Sequence, residues 1–147
     1  MINNKLILNV YEDNSSKKKI STQLLYGDKF KIIKRYNNML KIKTSYDNYV
    51  GYITKRKFPE NVKQTHKISI LKAKLYSQPN IKSKLNKCIS FCSYIKVKSY
   101  KNNFYSFDKY WIKKKDIVPV KSKIKLFGNI KMFKNTKYKW GGNSYKG

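Results

Sequence analysis

The sequence predicts an all-β protein built from two small barrels in tandem. Apolar residues alternate with lysines in short runs, which is the period of two that a strand requires. Turn-forming residues separate these runs, and the same strand–turn plan then occurs a second time. A chain of 147 residues has room for two units of about 60 residues each, close to the lower limit for an independent core.

The first copy of the plan lies within residues 1–60. Its strands are indicated by alternating apolar residues, namely Phe30 and Ile32, then Leu40 and Ile42. A third β-rich run, YVGYIT at 49–54, contains Gly51, which indicates a bulge or a close approach of two backbones. Turns are predicted at Tyr26–Asp28, Asn37–Asn38 and Asp47–Asn48, because Asn, Asp and Gly tolerate the backbone angles of tight turns.

The second copy lies within residues 61–120, and residues 94–107 match the first copy at a constant offset of 65. The run YIKVK at 94–98 repeats the strand at 29–34, and Asn102–Asn103 repeats the turn at Asn37–Asn38. Tyr105 and Phe107 then take the places of Leu40 and Ile42. The polar segment Pro59–Gln64 is the predicted boundary between the copies.

The period changes after Pro119, in residues 121–147. Ile124, Phe127, Ile130 and Met132 or Phe133 follow a helical spacing, which predicts a short amphipathic helix of about three turns. The tail that follows reads YKWGGNSYKG.

Two groups of residues resemble a known family. Leu24-Leu25-Tyr26-Gly27-Asp28 followed by YVGYI resembles the LLxGE turn and the GYI strand of the bacterial SH3 domain. A helix followed by Tyr138-Lys139-Trp140-Gly141-Gly142 is similar to the beginning of NlpC-type cysteine peptidases. Two SH3-like barrels before a peptidase resemble the dipeptidyl-peptidase subgroup, which cleaves the γ-D-glutamyl bond to the diamino acid of peptidoglycan stem peptides.

The resemblance implies that residues 121–147 begin an α+β peptidase domain that is truncated before its nucleophile. In the family pattern the catalytic cysteine would be the third residue after Gly147. We therefore expect the 147-residue chain on its own to release no dipeptide from stem peptides. His66, in the link between the barrels, is predicted to be a surface histidine and not the catalytic base.

The resemblance also implies three site residues. In the subgroup, an acidic residue of the turn and a tyrosine before the GYI strand contact the free amino end of the peptide, and Asp28 and Tyr49 occupy these positions. Asp28 has an alternative role as a turn residue that bonds its own backbone. Tyr138 matches a tyrosine beside the nucleophile, where a phenol can donate a hydrogen bond to the oxyanion; its alternative role is packing alone. Trp140 is expected to pack its ring, and Gly141 and Gly142 to form a tight turn.

The charge suggests polyanions as further partners. Lys and Arg total 35 against seven acids, for a net charge of +28, and only Arg35 and Arg56 are arginines. Lysine provides a diffuse field and arginine the bidentate contacts of base reading. The runs Lys17–Lys19 and Lys113–Lys115 could bind a polyanion or be solvated turns, and the basic composition itself could reflect A/T-rich codons. The alternative functions are a nucleic-acid-binding protein that stacks bases on tyrosines and a wall-binding module without an enzyme.

No cofactor and no metal are predicted, because Cys88, Cys92 and His66 are too few for a metal site. No apolar run approaches the length of a membrane span, and no signal peptide is evident near Met1. A cytoplasmic location is therefore expected, with the periplasm or the cell envelope as alternatives. The oligomeric state is left open.

Overall fold

The computed structural model describes residues 1–15, 19–123 and 130–146. The predicted all-β class is confirmed: short strands form three antiparallel sheets, and within the described residues no helix exceeds four residues. The chain divides into two compact units, which we call unit 1 (Met1–Val62 with Lys137–Gly147) and unit 2 (Lys63–Thr136). None of the helices in the described part of the chain is long and apolar enough to span a membrane.

Unit 1 contains a five-stranded sheet in the order β2-β1-β5-β4-β3. Its strands are β1 (Ile7–Tyr11), β2 (Ile20–Leu25), β3 (Phe30–Arg35), β4 (Met39–Thr44) and β5 (Val50–Thr54). Alternate residues of these strands point inward and form one core, which consists of Val10, Leu24, Phe30, Leu40, Ile42 and Ile53. Three of the four residues whose alternation predicted these strands are thus buried, and the fourth, Ile32, packs against the same core.

The predicted turns of unit 1 are found between its strands. Asn37–Asn38 connects β3 to β4, and Asn48 adopts a left-handed φ of 58° in the loop before β5. The close approach predicted at Gly51 is confirmed, because a Cβ there would lie 2.5 Å from Val10 Cγ1 and 3.0 Å from the carbonyl oxygen of Tyr11. Glycine is therefore required where β5 crosses β1.

Unit 2 contains two sheets, a five-stranded one in the order β10-β11-β12-β7-β8 and a three-stranded one in the order β13-β6-β9. The strands are β6 (His66–Ile68), β7 (Lys72–Tyr76), β8 (Lys84–Ser90), β9 (Tyr94–Ile95), β10 (Ser99–Lys101), β11 (Phe104–Phe107), β12 (Tyr110–Lys113) and β13 (Ile117–Pro119). Its fully buried side chains come from both sheets and include Ile68, Leu75, Ile89, Ile95, Phe107 and Ile112.

The turn predicted at Asn102–Asn103 is a two-residue hairpin loop. Both residues have positive φ, 50° and 64°, which is the conformation that a type I′ turn requires and that asparagine tolerates. The loop sets the register in which Lys101 pairs with Phe104 and Tyr100 pairs with Tyr105.

Two predictions for the second copy are corrected. The run at 94–98 is not one strand: β9 pairs with β6, whereas β10 pairs with β11, so the chain passes from one sheet to the other between them. Tyr105, the expected counterpart of Leu40, is only half-buried, and its neighbour Phe104 is the buried residue at that end of β11.

The helix predicted after Pro119 is not present as three turns in the described residues. They contain a four-residue 3-10 segment, Ile130–Phe133, in its place. Ile124 and Phe127, on which that prediction also depended, lie outside the described residues.

Candidate functional site

Asp28 lies in the turn between β2 and β3. Its Oδ2 accepts a hydrogen bond from the backbone N–H of Leu25 at 2.7 Å, and its own N–H donates to the Leu25 carbonyl at 3.1 Å. The side chain therefore closes its own turn, which is the structural role that the sequence left open. These bonds use Oδ2 and the backbone, so the second carboxylate oxygen, Oδ1, is not used by the turn.

The Asp28 carboxylate is half-buried and has no cationic partner in the part of the chain that the structure describes. Burial raises its pKa to about 6; the hydrogen bond from Leu25 acts in the opposite direction, and the charge of Asp47 raises the pKa further. Among the described residues no ion pair to Asp28 is formed, although the chain has 35 lysines and arginines. A carboxylate held in this way stabilises any cation that can reach it.

Asp47 organises the loop between β4 and β5. Its Oδ1 accepts hydrogen bonds from the Tyr49 N–H at 3.2 Å and from the Thr44 hydroxyl. Burial alone would raise the pKa of Asp47, but these bonds and one from Tyr46 together lower it. Asp47 is therefore ionised at neutral pH, and the Ser45 N–H, which donates to the Lys29 carbonyl at 2.9 Å, holds its loop beside the turn of Asp28.

Two tyrosines belong to this loop. Tyr49 is half-buried against the core of unit 1, and its ring lies so close to Gly51 that a Cβ there would be 3.2 Å from Cε1. Tyr46 bonds both Asp47 and the side chain of Asn143, and burial together with the charges of Asp47 and Asp28 raises its pKa to about 12. Tyr46 is thus close enough to the carboxylates of Asp28 and Asp47 for both charges to raise its pKa.

The span that carries this site has a known counterpart. Residues 10–58 match the family model described as the bacterial dipeptidyl-peptidase SH3 domain. The matched span contains Asp28, Tyr49, Tyr46 and Asp47, the four loop residues described above. Within the matched span these loop residues form the candidate site, and strands β1–β5 support them.

The whole chain also resembles a solved structure. A crystal structure of an NlpC/P60 family protein from Bacillus cereus ATCC 10987 superposes with a TM-score of 0.78 at 16% sequence identity. The match covers 99% of this chain and 67% of that protein, and at this identity it shows a shared fold. Among curated protein sequences, none matches the chain.

The tail contacts strand β2 within unit 1. The Asn143 N–H donates to Gln23 Oε1 at 3.2 Å, and its Nδ2 donates to the Gln23 carbonyl at 3.4 Å. Gly141 has a φ of 65°, which confirms the predicted turn, and a Cβ there would lie 2.8 Å from the Ser21 carbonyl. Residues 141–143 therefore lie against β2 through their backbone and one amide.

The aromatic residues of the tail do not pack as expected. Trp140 is 65% exposed, so the prediction that its ring packs is wrong: the tail meets β2 through the small Gly141 and the polar Asn143. Tyr138 is 85% exposed, and its catalytic role stays a prediction. Tyr46, Asp47 and Asn143 were not recognised as site residues, although an aromatic residue beside the Asp47–Asn48 turn was a usable signal.

His66 is not at this site. It lies on β6 of unit 2, where its ring is 5.3 Å from that of Tyr105 and its Nδ1 is 2.9 Å from Thr65 Oγ1. It is half-buried, and burial lowers its pKa. Within the described ranges, no group of three His, Cys, Asp or Glu side chains could hold a metal ion.

The raised pKa of Asp28 predicts a pH-dependent stability. The unfolded carboxyl titrates near 3.8 and the folded one near 6, so ionisation favours unfolding. Stability contributed by neutral Asp28 is complete below pH 3.8 and is lost as the pH rises through about 6. Relative to Asp28→Asn, the native chain should lose at most ~3 kcal/mol of unfolding free energy between pH 4 and 7. Urea unfolding followed by amide signals of unit 1 measures this difference.

The matched control for this measurement is Asp13→Asn. Asp13 is an exposed acid of unit 1 that bonds Ser15, and its pKa is lowered chiefly by the side chain of Ser15. Because this variant keeps Asp28, its curve should show the same loss of stability above pH 4 as the native chain. Parallel curves for the native chain and Asp28→Asn would contradict the burial argument.

Proposed function

We propose that this chain is the substrate-recognition region of a cysteine peptidase that hydrolyses the γ-D-glutamyl–diamino acid bond of peptidoglycan stem peptides. The match of residues 10–58 to the dipeptidyl-peptidase SH3 domain supports an accessory region of a cell-wall peptidase. The fold shared with an NlpC/P60 family protein supports the same class. In this proposal, residues 1–60 and 61–120 act as barrels that precede the peptidase domain.

The observation that carries the proposal is the unpaired carboxylate of Asp28. Its Oδ1 is left over by the turn, and burial has raised its pKa to about 6. A peptide ammonium group placed there supplies the missing positive charge and restores an ordinary pKa to the carboxyl. Hydrogen bonds to a charged group are worth roughly 1.5–3 kcal/mol, enough to select a free amino terminus over a blocked one.

The loop between β4 and β5 favours the same ligand. The Asp47 carboxylate stays ionised and adds a second negative charge. The remaining acids of unit 1 are Glu12, Asp13 and Glu60. Tyr49 offers a ring held by Gly51 and the core, against which the first side chain of the peptide can pack. We assign Tyr138 the role of hydrogen-bond donor to the oxyanion when a nucleophile is supplied.

The test compares a free and a blocked peptide. The tripeptide L-alanyl-γ-D-glutamyl-diaminopimelate is titrated into the chain at pH 7.5 by calorimetry, beside its N-acetylated form. We expect acetylation to weaken binding by about 10-fold or more, since it removes the ammonium charge. Asp28→Asn should weaken the free peptide to a similar extent and leave the acetylated one unchanged, while Asp13→Asn should bind both like the native chain.

The pH dependence of the same titration separates charge from shape. Asp28 becomes protonated as the pH falls below about 6, so the affinity for the free peptide should fall by about 10-fold per pH unit there. The acetylated peptide should show no such fall. Equal binding of both peptides, or an Asp28→Asn variant with native affinity, would refute the assigned recognition role.

A further inference from the structure

Unit 2 contains an open groove beside the Asn102–Asn103 hairpin turn. The groove has a volume of about 610 Å³ and is lined by Ile81, Asn102, Asn103, Phe104 and the run Lys113–Lys115. The lysine run at 113–115, noted in the sequence, therefore lines a concave surface. Every lining residue belongs to unit 2, so the groove does not depend on the site around Asp28.

One wall of the groove is positively charged and fixed in place. Lys113 ends β12, and the 3-10 segment Lys114–Asp116 continues from it. The Lys114 N–H donates to the Asn103 carbonyl at 2.9 Å, which holds the run against the hairpin. Three successive lysines are thereby presented on a defined backbone and not on a free loop.

The surrounding charge favours an anionic ligand. Unit 2 contains 19 lysines and only two acids, Asp108 and Asp116. Asp116 directly follows the lysine run, but it is only 7% exposed and does not line the groove. Burial raises its pKa, and the charges of Lys115 and Lys113 act in the opposite direction. The groove thus attracts phosphate or carboxylate groups along its lysine wall.

The groove is partly apolar, and the one aromatic residue that lines it in the described part of the chain is buried. Ile81 is 68% exposed, whereas Phe104 is 5% exposed and meets Tyr76 edge-to-face at 4.9 Å. Tyr100 is 50% exposed but does not line the groove; Lys114 Nζ lies 5.6 Å over its ring, and its hydroxyl donates to Asn103. Nucleobases bind such surfaces by stacking on open rings, which this groove lacks.

We propose that this groove binds an anionic polymer whose phosphodiesters join short aliphatic polyol units. The phosphates would contact Lys113–Lys115, the polyol hydroxyls would contact the amides of Asn102 and Asn103, and the hydrocarbon portions would lie on Ile81. The ligand is a phosphodiester polymer of the envelope type and not a nucleic acid, because the contacts match its charge and its aliphatic backbone but provide no stacking.

The test measures binding of soluble poly(glycerol phosphate) to the full chain by calorimetry in 50 mM salt. The triple variant Lys113→Gln, Lys114→Gln, Lys115→Gln should bind at least about 10-fold more weakly and show a shallower dependence of affinity on salt. A charge-matched control, Lys74→Gln, Lys96→Gln, Lys109→Gln, removes three exposed lysines of unit 2 that do not line the groove. The control should lose less than about 3-fold.

Two further arms decide the nature of the ligand. Ile81→Ser keeps every charge and should weaken the glycerol polymer by about 3-fold through lost apolar contact. Oligo(dT) with the same number of phosphates should bind more weakly than the polymer and be insensitive to Ile81→Ser. Equal losses in the two triple variants, or tighter binding of oligo(dT), would overturn the proposal.

Discussion

Phe30→Ala is expected to lower the free energy of unfolding of unit 1 by about 3–5 kcal/mol. The Phe30 side chain is 1% exposed, lies in the core with Leu40 and Ile42, and meets Phe58 edge-to-face with ring centroids 5.0 Å apart. A domain of this size has a free energy of unfolding of only a few kcal/mol, so the variant should be largely unfolded at 37 °C.

Urea unfolding monitored by NMR signals of unit 1 measures the loss. The control is Ile33→Ala on the same strand, where the side chain is 53% exposed and the change should cost less than about 0.5 kcal/mol. A loss of similar size in both variants would show that β3 does not present its faces as described.

Gly51→Ala is expected to destabilise unit 1 by about 2–3 kcal/mol through overpacking. The new Cβ would lie 2.5 Å from Val10 Cγ1, whose side chain is fully buried, and 3.0 Å from the backbone oxygen of Tyr11. Neither group can move without a large energetic cost. The Val10 side chain is β-branched and lies in a packed core, and the Tyr11 backbone belongs to a paired strand. The same Cβ presses on the Tyr49 ring, so binding of the free tripeptide should weaken together with stability.

A double-mutant cycle with Val10→Ala separates the clash from other causes. Truncating Val10 removes Cγ1, the nearest obstacle, so the double variant should lose less stability than the two single variants added together. Chemical denaturation of all four proteins measures the coupling energy. Additive losses would place the cost of Gly51→Ala elsewhere, for example in the backbone oxygen of Tyr11.

Local sequence patterns predicted those parts of the fold that depend on neighbouring residues. The alternation at Phe30 and at Leu40 follows from strand geometry, and the turns at Asn48 and Asn102–Asn103 follow from the ability of asparagine to adopt positive φ. Gly51 was recognisable because a glycine inside a β-rich run has a positional reason. These features needed no knowledge of distant contacts.

Features that depend on distant contacts were not predictable in this way. The break between β9 and β10 arises because β9 pairs with β6, almost 30 residues earlier, and no local signal marks it. The hydrogen bond between Tyr46 and Asn143 joins residues that are far apart in the sequence. The leftover oxygen of Asp28 is likewise visible only once the Leu25 N–H is known to occupy the other one.

The position of the tail against β2 has a consequence for association between molecules. β2 is an outer strand of its sheet, and outer strands expose backbone groups to which a foreign strand can add. The Asn143 side chain donates a hydrogen bond to the backbone carbonyl of Gln23. Gly141 lies against the backbone carbonyl of Ser21 on the same strand. Residues 141–143 therefore cover part of this sheet edge and hinder strand addition by a second molecule, although they form no strand themselves.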